Sequence, residues 1–252
     1  FPEYAMNEIS SIAGADVAAE RAASLGFIAD HFDQVLDIHQ TCATRYDTTI
    51  LMGSGPARLG GDMVNRCALV VPNVGSVCQD KQIMTRFERE EWFVSSGGPL
   101  QIFDTHLGRI GVLICYDSEF PMLGRALADV DILLVPSCTE AASGYWRVRI
   151  GSMARALENQ CVTVMASLLS DDTRFYGVDE ATGAGGVFCP PDTGFPPTGI
   201  MALGQMGRPG WVYADVGLDQ IAHVRRDGVV LNRTHWDDQF PRCDQVTVCK
   251  LG

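Results

Sequence analysis

The chain has 252 residues, with 19 Lys and Arg against 31 Asp and Glu, giving a formal charge of −12. Apolar residues at 46% and charged residues at 20% match a folded globular protein and exclude a disordered chain. The length suits one domain spanning residues 1–252, and the acidic balance argues against nucleic acid or an anionic membrane as partner, because both select basic surfaces.

Residues 5–46 read as helical, with apolar positions at Phe27, Ile28, Phe32, Val35, Leu36 and Ile38 and an expected interruption at Gly26. Thr48–Met52 is a short strand stopped by Gly-Ser-Gly-Pro. Asn65–Pro72 and Ser76–Met84 predict a hairpin, and Leu100–Asp104 with Arg109–Cys115 predict a second one. From Pro121 onward helix and strand alternate. A helix is expected over Pro121–Ala128, a strand over Ile132–Val135, a helix over Tyr145–Asn159 and a strand over Cys161–Ala166. Residues 171–210 are rich in Gly and Pro and predict loops around one strand near Val187. A strand at Trp211–Val216 and a helix at Leu218–Arg225 follow. Hairpins mixed with strand-helix units predict an α/β protein with packed sheets.

No apolar run approaches the roughly 20 residues needed to span a bilayer. The start shows no secretory pattern, and the nine cysteines are odd in number, widely spaced and without C-x-x-C. A reducing, cytoplasmic setting is expected. No Cys and His pairing has zinc spacing, so no metal is expected. Gly183-Ala-Gly-Gly186 lacks the Lys-Ser/Thr of a phosphate loop and reads as an ordinary loop.

Cys115 ends an apolar run, Arg109-Ile-Gly-Val-Leu-Ile-Cys115, and is followed by the polar turn Tyr116-Asp117-Ser118-Glu119 and by Phe120-Pro121 opening a helix. A thiol at such a turn sits on a rigid support beside backbone N–H groups that can bind an oxyanion. The plainer reading is a buried strand end. A thiol nucleophile needs activation, and no His is suggestively spaced from it. Lys81 could supply a cation, although a Lys in a strand is more often solvated. Glu3, between Pro2 and Tyr4, has nothing local to distinguish it from a surface charge.

Taken together, Phe1-Pro2-Glu3-Tyr4, Asp80-Lys81 with its acidic continuation, and Gly111-Val-Leu-Ile-Cys115-Tyr116-Asp117-Ser118-Glu119-Phe120-Pro121 resemble the nitrilase (carbon–nitrogen hydrolase) superfamily. Ala154-Arg155-Ala156-Leu157-Glu158-Asn159-Gln160, in the helix after Val135-Pro136-Ser137, adds to the resemblance. It implies a four-layer α-β-β-α sandwich, here lacking its first strand-helix-strand, and a Glu-Lys-Cys triad. In that triad Glu3 is the general base, Lys81 the cationic stabiliser and Cys115 the nucleophile. A second glutamate orienting the lysine is implied at Glu88, with Glu90 in reserve. Tyr116-Asp117 after the cysteine, in place of Trp-Glu, resembles the amide-hydrolysing branches more than the nitrile-hydrolysing ones.

The implied reaction is cleavage of a non-peptide C–N bond in a small amide, ω-amide or carbamoyl compound through a thioester. It releases ammonia or an amine and needs no cofactor. Nitrile hydrolysis, a non-catalytic scaffold on the same fold, and a glutaminase domain feeding a partner chain are the alternatives. Tyr116, Glu119, Glu140 and Trp146 are substrate-pocket candidates. For Glu119 the competing role is a helix cap; for Trp146 it is helix packing. Tyr145–Asn159 is expected to pair two subunits as a homodimer. With Glu3 as the third residue, a frayed terminus and reduced activity relative to a longer chain are expected.

Overall fold

The computed structural model describes residues 1–252. A 3-10 helix at Ala5–Ala13 leads into α1 (Ala15–Ala19), α2 (Arg21–Asp30) and α3 (Phe32–Tyr46). Gly26 lies inside α2 without interrupting it, and the breaks fall at Gly14, Glu20 and His31. Then come β1 (Ile50–Leu51), β2 (Gly55–Leu59), β3 (Asp62–Val71), β4 (Gly75–Asp80), α4 (Arg86–Glu90) and β5 (Val94–Ser95). The second half contains β6 (Phe103–Thr105), β7 (Gly108–Val112), a 3-10 turn at Cys115–Glu119, α5 (Pro121–Ala126), β8 (Ile132–Ser137) and α6 (Ala142–Asn159). It continues with β9 (Val162–Ser167), β10 (Gly186–Phe188), β11 (Ile200–Leu203), α7 (Leu218–Asp227) and α8 (Phe240–Cys243).

Two sheets form. In the first, β3 is central, with β1 and β2 antiparallel along one side and β4 and β5 along the other. The second has the order β11-β10-β9-β8-β7-β6, with β7, β8 and β9 parallel. Period-2 alternation along β3 explains how the layers stack. Cys67 and Leu69 turn toward the second sheet and join Ile110, Val112, Leu133 and Phe188 in the main core. Val64 and Ala68 turn the other way, onto Ile28 and Phe32 of the helices. Helices α5 and α6 cover the far face of the second sheet, which completes the α-β-β-α order.

Several expected boundaries shift. The strand containing Lys81 stops at Asp80, and β7 stops at Val112, so both residues of interest lie just beyond strand ends. β2 and β11 were not foreseen: Gly55-Pro56 looks like a turn, and Ile200–Leu203 lies among loop residues. Trp211–Val216 pairs with no strand, and Trp211 and Tyr213 are exposed. The amino terminus is not frayed. Phe1 N donates to Leu51 O at 3.0 Å, Ser54 N to Pro2 O at 3.2 Å and Tyr4 N to Ser54 Oγ at 3.2 Å. The strap lies so flat that a Cβ on Gly53 would meet Pro2 O at 2.8 Å.

Helix α6 presses on the Cys115 turn through Gly151, where an added Cβ would lie 2.7 Å from Ser118 O. Arg155, also on α6, donates to the same oxygen at 3.3 Å. Gly151→Ala would gain about 1 kcal/mol of helix propensity, but a backbone oxygen cannot yield without moving the turn, and overpacking costs about 1–3 kcal/mol. The expected outcome is a lower denaturant midpoint; an unchanged or higher midpoint would show that the contact is slack.

Candidate active site

The site forms where β7 and β8 end and where the amino-terminal strap crosses the β3–β4 end. Parallel strands of an α/β sheet typically offer their carboxyl ends to ligands. Cys115 has φ 49°, a left-handed backbone that non-glycine residues adopt sparingly and that tends to mark functional turns. The turn is held by Asp117, whose carboxylate accepts from Ile114 N at 3.3 Å, Gln82 N at 3.1 Å and Ile83 N at 2.8 Å. Those bonds fix the loop after Lys81 against the Cys115 turn. Burial pushes the Asp117 carboxyl up to about 7, against the pull of Lys81 and these N–H donors.

Lys81 is 1% exposed and donates to Glu3 Oε1 at 2.8 Å and to Glu88 Oε2 at 2.7 Å. Glu3 is also 1% exposed; its Oε2 accepts from Cys138 N at 2.9 Å, and it lines the same cavity as Cys115. Glu88 receives Tyr4 Oη at 2.6 Å and Thr85 N and Oγ1 at 2.8 Å each, as the third residue of a capping box on α4. Glu90 instead pairs with Arg86 at the surface, 2.8 Å away. Cys115 Sγ lies 3.6 Å from both Cys138 O and Ser137 Oγ.

The two glutamates share one ammonium but are driven apart. Burial raises the Glu3 carboxyl, and the charge of Glu88 adds to this; Lys81 opposes but does not cancel it. Burial acts on Glu88 too, yet the Lys81 ammonium and the hydrogen bonds from Lys81, Tyr4 and Thr85 outweigh it and hold that carboxyl low. Burial disfavours the Lys81 charge, but Glu3 and Glu88 overcome it and hold the amine well above its ordinary value. Burial and the neighbouring Glu3 push the Cys115 thiol well up despite Lys81, so the sulfur rests protonated. Carboxylates pushed in opposite directions are suited to different tasks.

A cavity of about 530 Å³ opens over these residues. Glu3, Lys81, Glu88, Cys115, Tyr116, Glu119 and Glu140 all line it. Glu119 pairs with Arg147 at 3.4 Å rather than capping α5. Trp146 does not line the cavity: it is 50% exposed on the outer face of α6, with Arg149 over its ring, because the helical step turns Arg147 and Val148 inward instead. Sequence reasoning missed Asn65, fully buried on β3, whose Nδ2 donates to Glu3 Oε1 at 3.0 Å and to Glu88 Oε1 at 3.3 Å. A polar residue inside the run Met63–Val71 was the available signal.

The chain belongs to the carbon–nitrogen hydrolase family, whose model matches residues 12–177 and so takes in Lys81, Glu88 and Cys115. It is 32% identical over 234 residues to the probable hydrolase YhcX of Bacillus subtilis (strain 168), covering 91% of this chain and 45% of that protein. It is 30% identical over 142 residues to a deaminated glutathione amidase of Yersinia enterocolitica, covering 50% of this chain and 49% of that one. The chain thus spans about half the length of these curated relatives. Among solved structures, a carbon–nitrogen hydrolase from Helicobacter pylori G27 shares the fold with a TM-score of 0.72 at 14% identity, covering 95% of this chain and 90% of that one. No helix is long and apolar enough to cross a membrane.

Asn65 supplies two donors without charge. Asn65→Asp would set a third carboxylate around one ammonium, at an expected cost of about 3–5 kcal/mol near neutral pH. The new carboxyl would be raised by its neighbours, so when protonated it would again donate. The deficit relative to the parent chain should therefore shrink as pH falls and grow as pH rises, as read from denaturant midpoints at several pH values. A deficit independent of pH would contradict the assigned hydrogen-bond direction.

Proposed function

We propose that this chain hydrolyses a non-peptide C–N bond of a small amide through a thioester on Cys115, with Glu3 as general base, Lys81 as cationic stabiliser and Glu88 holding the lysine. The observation that carries the reading is the single Lys81 ammonium shared by two buried carboxylates in a cavity that also exposes the Cys115 thiol. Glu3 takes the thiol proton as Sγ bonds to the amide carbon, and the carbonyl electron pair moves onto oxygen. An ammonium has three N–H bonds; two of Lys81 are committed to Glu3 and Glu88, which leaves one for that oxygen. The Tyr116 amide, in the first turn of a 3-10 helix, is the second donor proposed for it. Glu3 then passes its proton to the leaving nitrogen and the C–N bond breaks. Water, deprotonated by the same glutamate, attacks the thioester, the C–S bond breaks and the proton returns to sulfur.

Throughout the first step the site keeps its net charge: a negative charge leaves Glu3 and reappears on the substrate oxygen beside Lys81. No charged species is added to the interior, where an unpaired ion would be costly. Similarity to amidases, together with Tyr116-Asp117 after the cysteine, favours an amide over a nitrile.

Ammonia release from a panel of small primary amides and nitriles tests this. Cys115→Ala is expected to abolish it, and Glu3→Gln to lower kcat by at least roughly 100-fold, the usual scale of a general base. The acid limb of kcat/KM should lie above the ordinary glutamate value of about 4.3, because Glu3 must be ionised and its carboxyl is raised. Iodoacetamide, itself a small amide, should alkylate Cys115 faster in the parent chain than in Glu3→Gln, because the protonated thiol needs that base. Equal labelling of the two chains, with no amide turned over, would favour the scaffold reading.

We also propose a homodimer through α6, whose exposed Trp146, Ile150 and Leu157 fall on one face at helical spacing and form an apolar stripe. Ile150→Glu should lower the mass measured by light scattering toward that of one chain; an unchanged mass would place the interface elsewhere. All nine cysteines are free, which supports a reducing compartment such as the cytoplasm.

A further inference from the structure

We infer that the substrate carries a cationic group, an ammonium or guanidinium, at the end remote from the scissile amide. This rests on the hydrolase reading and adds the substrate class. The cavity has three zones of different charge. At its floor Lys81 is already shared between Glu3 and Glu88, and its one remaining N–H is reserved for the reacting oxygen. Its wall carries aromatic rings, Tyr4, Phe87, Trp92 and Tyr116. At its rim stand Glu119, Glu140, Asp179 and Glu180 against one guanidinium, that of Arg147.

Arg147 is occupied by Glu119 at 3.4 Å. Glu140, Asp179 and Glu180 have no basic partner within 4.0 Å and face an open cavity. Nor is their grouping an accident of loose loops. The two rim segments are tied to each other: Thr182 N donates to Thr139 O at 2.8 Å, and Thr139 Oγ1 to Thr182 O at 3.0 Å. Ser170 and Ala181 pair through both backbone bonds, at 3.0 and 2.9 Å, which fixes the strand of chain next to Glu180.

An anionic tail would have to take Arg147 from Glu119 and then lie among the remaining carboxylates. A cationic tail meets those carboxylates directly in a cavity that also carries aromatic rings, surroundings that favour a cation. The net charge of −12 adds a field of the same sign.

Three amides of matched length test this at low salt: 5-aminopentanamide, hexanamide and adipamate, which end in an ammonium, a methyl and a carboxylate. The expected order of kcat/KM is amine, then methyl, then acid, with roughly tenfold or more between the extremes for three exposed carboxylates acting together. The combined variant Glu140→Gln, Asp179→Asn, Glu180→Gln should collapse that ratio. So should about 1 M salt, where the screening length falls to about 3 Å. The readout is a ratio of rates, so a partial loss of folded protein does not imitate the effect.

A second arm needs no turnover. Cys115 is modified with a cationic (trimethylammonium) or an anionic (sulfonate) ethyl methanethiosulfonate, each rate being normalised to the same reagent on a free small thiol and read by peptide mapping. The cationic reagent should be faster by a similar factor. Amide turnover with adipamate equal to or better than the amine, or equal normalised labelling, overturns the inference while leaving the hydrolase reading standing. Cationic preference in labelling without hydrolysis of any amide would instead sink the hydrolase reading and leave a cation-selective pocket.

Discussion

One buried ammonium organises this molecule. Lys81 is almost wholly removed from water, which would ordinarily strip its proton, and it stays charged because two carboxylates press on it at 2.7–2.8 Å. The dependence is mutual, since neither Glu3 nor Glu88 could be buried as an ion without it. These three groups come from the amino-terminal strap, the loop after β4 and the first turn of α4. The charge cluster therefore ties together segments that also pack through Tyr4, Met84 and Trp92. Asn65 makes the arrangement sustainable by giving both carboxylates another donor without another charge.

The rest of the architecture positions the sulfur against that cluster. The parallel strands β7 and β8 end side by side, so the Cys115 turn and the backbone of Cys138 arrive together. Cys138 serves both partners through its main chain, its N–H on Glu3 and its carbonyl beside Cys115 Sγ. Helix α6 then closes over the turn with glycine at the point of nearest approach and Arg155 on the same carbonyl oxygen. Asp117 locks the turn to the Lys81 loop from the opposite side. Cys115 is thus held in a turn fixed by Asp117, Arg155 and the close approach of Gly151, which is how a left-handed φ at a non-glycine residue can be sustained.

Much of this was legible from the sequence, and unevenly so. Strands β8 and β9 and helix α6 follow from apolar runs and helical spacing because all three are buried on the faces that the pattern predicts. Strand β11 was hidden because its four residues lie in a Gly- and Pro-rich stretch, and β2 because Gly55-Pro56 carries a turn signal that tertiary pairing with β3 overrides. Trp211–Val216 has the right composition for a strand and no partner to pair with, and composition cannot reveal that. At the site, Glu3, Lys81 and Cys115 could be gathered only by resemblance, since 78 and 34 positions separate them along the chain. Choosing Glu88 over Glu90 needed the register of α4, which the sequence left open. Trp146 was misplaced by a single helical step: its neighbours Arg147 and Val148 face the cavity.

The acidic rim and the buried ammonium do not compete, because they work in different dielectric settings. Glu140, Asp179 and Glu180 are exposed, so their fields are screened over about 10 Å at ordinary salt and act mainly on what enters the cavity. Glu3 and Glu88 act on Lys81 across less than 3 Å in the interior, where water screens little. The same residue type therefore performs two separable jobs. Outside, carboxylates select and attract a ligand through weak, salt-sensitive forces. Inside, they set proton affinities that salt hardly reaches. A chain with an excess of acid can keep a buried ammonium charged at its centre, provided that carboxylates stand directly beside it.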